Sequence, residues 1–341
     1  MDKVMQRIGH LKESFLSFAN LYAAYKKAYR GTKSYQSYAF AFNADRELLL
    51  LQSELTGGAY EPGNYNYFTI KEPKERIIAV SPFRDRVVHH ALVNVIEPVY
   101  EKRFIYDSYA TRKEKGAHKA IARAQYFLRK TRWYLKMDVR KYFDSIDHRV
   151  LNAIIRRKIK DPYILNLCEK IIAKGGSGLK GLPIGNLTSQ FFANVYLDVF
   201  DHYIKDELKI KGYVRYMDDF CIFDESKETL KLHRDRIKIF LNEKLRLEAK
   251  ESATLINSRL HGLPFLGVRI FPGQIRLITE NFNRSYKKLM TNEWQYQNDR
   301  ILYEKYSSSM QSLTAHLNYW GNNLLKNRLY TGTVSKAAPT A

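Results

Sequence analysis

Two carboxylates side by side, Asp218 and Asp219, sit at the centre of Tyr213-Val214-Arg215-Tyr216-Met217-Asp218-Asp219-Phe220-Cys221-Ile222-Phe223. The flanking residues are β-branched or aromatic, which predicts a strand, a tight turn and a second strand. Adjacent negative charges repel, so both stay ionised in such an apolar setting only beside something positive, and a pair of divalent metal ions would serve. An Asp-Asp pair taken alone is an ordinary solvated turn. A third carboxylate upstream changes that reading. From Trp133 to Val139 the chain alternates, with Trp133, Leu135, Met137 and Val139 on one face and Tyr134, Lys136 and Asp138 on the other. Asp138 therefore stands near the end of a predicted strand, away from its more apolar face.

The elements that must position these groups follow from the pattern along the chain. Residues 1 to 56 read as helical, with Leu11, Phe15, Phe18 and Leu21 at helical spacing and a basic patch from Lys26-Lys27 to Arg30. Gly57-Gly58 and Pro62-Gly63 end that region. Tyr65 to Ile70 is a predicted strand, and Lys71 to Arg76 a turn into a second strand, Ile77 to Val80. After Asp138 comes Phe143, and Asp147 is placed to cap a helix beginning near His148, which carries Arg156, Arg157, Lys158 and Lys160. Lys174-Gly175-Gly176-Ser177-Gly178 reads as a loop. Gly181-Leu182-Pro183-Ile184-Gly185-Asn186-Leu187-Thr188-Ser189-Gln190 reads as a turn opening an aromatic, apolar helix from Phe191 to about residue 204. Leu230 to Leu245 is an amphipathic helix, Phe265 to Ile270 a short hairpin, and the chain from about Asn281 onward helical, with a frayed ending from Thr331 to Ala341.

Composition bounds the partners. With 341 residues and a 45% hydrophobic share the chain is long enough for a multi-lobed enzyme with a buried core. Lys and Arg outnumber Asp and Glu by 57 to 35, a formal charge of +22, and 25 Tyr and 18 Phe accompany them. Such a balance suits a polyanion with rings available for stacking. Between residues 71 and 132 the count is 15 basic against 7 acidic, and Gly116 within that stretch allows close backbone approach to phosphate. No run reaches the length of a membrane span, and the first residues lack the apolar core of a signal peptide. Cys168 and Cys221 form neither a disulfide framework nor a zinc pattern. The expected setting is a reducing cytoplasm, with no membrane association.

The strand-borne Asp138, the aromatic Phe143, the Gly-rich turn at 181 to 190 and Tyr216-Met217-Asp218-Asp219, in that order, resemble the reverse transcriptase family from about residue 67 to 270. Arg76 before an apolar strand, Asp107-Ser108-Tyr109 before a basic turn, Lys250 after an amphipathic helix and Phe265-Leu266-Gly267 add to the match. The resemblance implies an α+β right-hand polymerase: fingers, a palm built on an antiparallel sheet, and a short helical thumb. It divides the chain into an N-terminal extension and fingers (1–90), palm (91–146), a second fingers segment (147–188), the rest of the palm (189–272), and thumb and tail (273–341).

The chemistry implied is RNA-directed DNA synthesis by two-metal nucleotidyl transfer, using two Mg²⁺ ions about 3.5–4 Å apart, with Mn²⁺ as a substitute. Asp138 and Asp218 would bridge the ions, Asp219 would support the primer-side one, and the Val139 carbonyl would serve the nucleotide-side one. Arg76, with Lys71 or Lys74, would hold the triphosphate, and Phe143 would lie under the sugar and exclude a 2′-hydroxyl. Ile184, Gly185 and Gln190 would border the nucleotide, Lys250 would give a proton to the leaving pyrophosphate, and Phe265, Leu266 and Gly267 would grip the primer. The partners are template RNA, a DNA or RNA primer and deoxynucleoside triphosphates.

Many reverse transcriptases carry Gln-Gly-x-x-x-Ser-Pro in the Gly-rich turn. Here it reads Ile184-Gly185-Asn186-Leu187-Thr188-Ser189-Gln190. An apolar residue before the Gly and a closing Ser-Gln resemble reverse transcriptases of diversity-generating retroelements, as do Asp85 to Leu92 and Asp107 to Ala110. That likeness implies error-prone copying of a template-repeat RNA at adenines and a small, basic, ring-forming accessory protein. Retron enzymes are disfavoured by missing signatures, and an intron maturase by the short chain after the thumb. The competing readings are a standalone group II-like or phage-defence reverse transcriptase, and a catalytically silent RNA-binding protein on the same scaffold.

Overall fold

The computed structural model describes residues 7–32, 34–71, 74–176 and 178–320. The expected frayed ending at 331 to 341 lies outside them, as do Glu72 and Pro73 of the expected turn and Ser177 of the expected loop. Nine strands among the described residues make three antiparallel sheets. Strands β1 (Asn66–Ile70) and β2 (Arg76–Val80) form a hairpin. The central sheet contains β3 (Trp133–Met137), β4 (Gly212–Tyr216), β5 (Asp219–Asp224) and β6 (Leu255–Ser258), in the order β4-β5-β3-β6. The third sheet is β7 (Leu263–Phe265), β8 (Val268–Ile270) and β9 (Ile275–Leu277).

The period-2 alternation puts different residues of the central sheet into two separate cores. Leu135, Met137, Tyr213, Phe220 and Ile222 join a large core with helices Phe83–Glu101, His148–Arg156, Pro162–Gly175, Leu187–His202 and Lys227–Leu245. Tyr134, Val214, Cys221 and Phe223 face the other way, into a smaller core with helix Ala117–Lys130, the third sheet and helix Thr279–Gln297. The sheet is thus apolar on both sides. Only at the strand ends do carboxylates come forward.

Several expectations need correction in detail. The N-terminal region is four short helices, Lys12–Leu16, Phe18–Tyr29, Tyr35–Phe42 and Ala44–Gly57. Ser17 caps the second of them through a hydrogen bond from Asn20 N, so the helical period restarts there and Phe18 is left exposed. Lys174 and Gly175 belong to the last turn of Pro162–Gly175 rather than to a loop. The helix carrying Arg156 ends on that residue, leaving Arg157, Lys158 and Lys160 in the following turn, where Ile8 pairs with Ile159. The long helix begins at Leu187 rather than Phe191. The predicted Asp147 cap is present, its Oδ1 accepting from Arg149 N and Val150 N. Gly58, at φ 75, closes Ala44–Gly57 in the left-handed conformation that favours glycine.

Candidate active site

The β3–β5 register pairs Met137 with Phe220. Carried one residue further, it sets Asp138 opposite Asp219. The β4–β5 register pairs Tyr216 with Asp219, so Met217 and Asp218 form a two-residue turn between the strands. Met217 has φ 57, a left-handed conformation that costs a side-chain-bearing residue about 1–2 kcal/mol. The three carboxylates predicted from sequence are therefore brought together at one end of the central sheet.

Their electrostatics are those of a crowded acidic site. Burial pushes Asp218 up to about 6, the charge of Asp138 adds to the rise, and Arg76 and Arg215 oppose it. Burial pushes Asp219 up to about 7, against the charge and hydrogen bond of Lys136, with Asp138 and Asp218 adding to it. Lys136 Nζ lies 3.3 Å from Asp219 Oδ2. The other oxygen, Oδ1, is buried without a hydrogen-bond partner. Such an acceptor, wrapped in negative charge, fits a cation. Among the described residues no three Asp, Glu, His or Cys side chains enclose an ion on their own.

The segment after β3 is pinned by the segment before β6. Val139 bridges Ala249 antiparallel, Lys250 N donates to the Asp138 carbonyl at 2.8 Å, and Arg140 N donates to the Glu248 carbonyl at 2.8 Å. Val139 and Ala249 are the non-hydrogen-bonded pair, so this bridge leaves the Val139 carbonyl free of its ladder. Lys250 is thereby fixed beside Asp138 through its backbone. Next comes Lys141, with φ 44, then the short helix Tyr142–Ser145, in which Phe143 is half-buried against Tyr142 at 5.6 Å between ring centroids.

The Gly-rich turn is laced to β2. Ala79 N donates to the Ile184 carbonyl at 2.8 Å. Asn186 Oδ1 accepts from Ser81 Oγ at 2.8 Å and from Ser81 N, while its Nδ2 donates to the Ala79 carbonyl. Gly185 has φ 119, and a Cβ there would lie 2.8 Å from Ile78 Cγ2 and 2.9 Å from the Ala79 carbonyl oxygen. Only glycine lets the turn approach β2 this closely. Ile184 keeps a partly exposed side chain, and Leu182 N donates to the Phe143 carbonyl, which joins the turn to the segment after Asp138. Gly185 and Gln190 line a cavity of about 320 Å³ with Val80, Arg86, His89 and His90. Arg76 opens β2 and is exposed; Lys71 and Lys74 stand exposed at the hairpin tip.

The family profile of the reverse transcriptase (RNA-dependent DNA polymerase) matches residues 70–270. The chain belongs to the reverse transcriptase family. This reverse transcriptase is 26% identical to protein YkfC of Escherichia coli (strain K12) over 284 residues, 68% of its own length and 74% of YkfC. It is 24% identical to the group II intron-encoded protein LtrA of Lactococcus lactis subsp. cremoris over 328 residues, 75% of its own length and 54% of LtrA. Among solved structures, apo telomerase from Candida tropicalis superposes with a TM-score of 0.52 at 13% identity, over 69% of this chain and 53% of that one. The reverse transcriptase thus spans about half the length of LtrA and of that telomerase. The fold is the right-hand polymerase fold.

The remaining predicted residues lie in the third sheet of the reverse transcriptase. Leu266 and Gly267, at φ 49 and 85, form the turn between β7 and β8, Phe265 is buried, and Asn281 Nδ2 donates to the Gly267 carbonyl. Leu266 packs against the same core as Tyr216. No helix among the described residues is long and apolar enough to cross a membrane. Three residues of the site escaped the sequence reading: Lys136 as the partner of Asp219, Asn186 as the lace to β2, and Arg215. For Arg215 a signal existed, a charge inside an otherwise apolar strand next to the Asp pair.

Proposed function

We propose that Asp138, Asp218 and Asp219 are the catalytic carboxylates of this RNA-directed DNA polymerase and hold two Mg²⁺ ions together with the nucleotide. The observation that carries this is the register that sets Asp138 across from Asp219 beside the Met217-Asp218 turn. When bound, such ions stabilise the attacking and leaving oxygens of the displacement. The chain's own residues do the rest. Arg76, with Lys71 or Lys74, binds the triphosphate from the β1–β2 hairpin. Phe143 supports the sugar, Lys250 gives a proton to the departing pyrophosphate, and Phe265 to Gly267 hold the primer end. The primer 3′-hydroxyl, losing its proton to solvent, then bonds through its oxygen to the α-phosphorus as the bond to pyrophosphate breaks. Primer extension on an RNA template tests the site: Asp138→Asn and Asp218→Ala should fall to background with RNA binding retained, and extension by either would remove this assignment.

For biological role we propose cDNA synthesis in a diversity-generating retroelement, with miscopying at template adenines and a basic, ring-forming accessory protein. Support comes from Ile184 where many relatives carry an amide, in a turn whose frame is kept by the Ala79–Ile184 hydrogen bond. The similarity to LtrA favours a second reading, a group II-like enzyme without mutagenic purpose. Sequencing the cDNA separates them: errors concentrated opposite adenine support the first, and an even spectrum the second.

A further inference from the structure

We infer that Arg215 is a positioning residue whose guanidinium holds the Met217 carbonyl and so sets the turn that presents Asp218 and Asp219 to Asp138. The inference rests on the reading of those carboxylates as catalytic. Arg215 is 0% exposed. A buried charge is costly unless every donor is matched. Here all five N–H groups are. Nε and one terminal nitrogen form a fork onto Asp201, at 2.7 and 2.6 Å. The second N–H of that terminal nitrogen reaches Ser108 Oγ at 3.0 Å. The other terminal nitrogen donates to Asn194 Oδ1 at 3.1 Å and to the Met217 carbonyl at 3.0 Å.

The partners are themselves held in place. Asp201 also accepts from the Tyr213 hydroxyl at 2.7 Å. Asn194 Nδ2 donates to the Ala110 carbonyl at 2.8 Å and to Thr111 Oγ1 at 2.6 Å, which turns its oxygen toward Arg215. The Arg215 backbone is fixed as well, its N–H donating to the Asp107 carbonyl at 2.9 Å and its carbonyl accepting from Tyr109 N at 3.0 Å. One free choice remains to this assembly, and it is the link to Met217. That residue sits in a left-handed conformation disfavoured for any side chain, so the turn needs an anchor, and a charged donor is a strong one.

A buried Arg–Asp pair is weak evidence for stability, because apolar residues of similar size often serve as well. This separates the two roles Arg215 could have. The experiment uses the full chain, with melting temperature, steady-state primer extension on RNA, and Mn²⁺ binding by electron paramagnetic resonance without nucleotide. Two variants are compared with the parent: Arg215→Met with Asp201→Leu, and Arg215→Lys, which keeps the charge but not the fork. A folded double variant, which also leaves the Tyr213 hydroxyl without its acceptor, should melt below the parent, but the positioning role is read separately: about a hundredfold loss in kcat and about tenfold weaker Mn²⁺ binding, with KM for deoxynucleotide little changed. Arg215→Lys should lose about tenfold in kcat and melt somewhat below the parent, since three donors replace five. Parental kcat and Mn²⁺ binding in either folded variant would overturn the inference. Full activity in Asp218→Ala would instead overturn the carboxylate assignment beneath it.

Discussion

Lys136 Nζ and Asp219 Oδ2 are paired at 3.3 Å, diagonally across β3 and β5, because Lys136 stands directly opposite Cys221. One oxygen of Asp219 has a cation; the other is buried without a partner. The site is therefore short of positive charge, and that has thermodynamic consequences for the metal-free protein. In the unfolded chain both carboxyls titrate near 3.9, but in the folded protein Asp218 and Asp219 are raised to about 6 and about 7. The folded state binds more protons in between, so stability falls as pH rises through that window, and the penalty is full above about pH 7. In EDTA at about pH 8, Asp218→Asn should melt higher than the parent, by about 1–2 °C for each kcal/mol relieved, and the gain should shrink as the pH approaches 5. Equal melting curves at the higher pH would show that this charge is relieved some other way.

Gly185→Ala should destabilise the protein by about 1–3 kcal/mol, since the new methyl meets Ile78 and the Ala79 carbonyl in a backbone conformation alanine disfavours. Asn186→Ala should cost a similar amount by leaving Ser81 without its acceptor. Both should also raise KM for deoxynucleotide, because the turn ties β2 to the segment that follows Asp138. Denaturant melts and steady-state kinetics check this; unchanged KM in both would uncouple the turn from nucleotide binding.

Phe143→Ala should admit ribonucleotides by opening space where a 2′-hydroxyl would sit. The readout is the ratio of kcat/KM for deoxy- and ribonucleotides, and an unaltered ratio would place Phe143 elsewhere.

Ile184 has no donor or acceptor on its side chain, so it cannot favour a correctly seated nucleotide by hydrogen bonding. Ile184→Gln should lower misincorporation opposite template adenine more than opposite other bases, by about tenfold for each 1.4 kcal/mol of added discrimination. Identical error spectra from mutant and parent, sequenced on the same RNA, would reduce Ile184 to a packing residue.

The formal charge of +22 predicts that template RNA binding weakens steeply with salt. For single strands the log–log slope should be about 0.7 per phosphate neutralised. Titration by fluorescence anisotropy at several salt concentrations measures it, and a flat response would mean that the basic surface serves something else.

Local pattern was enough to reveal much of this protein. Alternation along Trp133 to Val139 and around Asp218-Asp219 marked the strands and put the carboxylates at their ends, because side-chain direction in a strand has period two whatever lies beside it. Apolar periodicity marked Lys227–Leu245, and Asp147 marked the start of His148–Arg156, because caps and helical stripes act over a few residues. The order of residue types from Asp138 to Gly267 carried the family.

What the pattern could not decide is which distant segments meet. The order β4-β5-β3-β6 depends on pairings between segments far apart in the chain, and these set Asp138 against Asp219 and Lys136 beside it. Asn194, Asp198 and Asp201 lie on a helix that read as aromatic and apolar, yet all three are buried, and two of them match the donors of Arg215. A sequence states that a charge exists and roughly how its strand faces. Whether that charge meets water, a carboxylate or the carbonyl of a strained turn is decided only when the segments pack, because burial and partnership belong to the assembled fold.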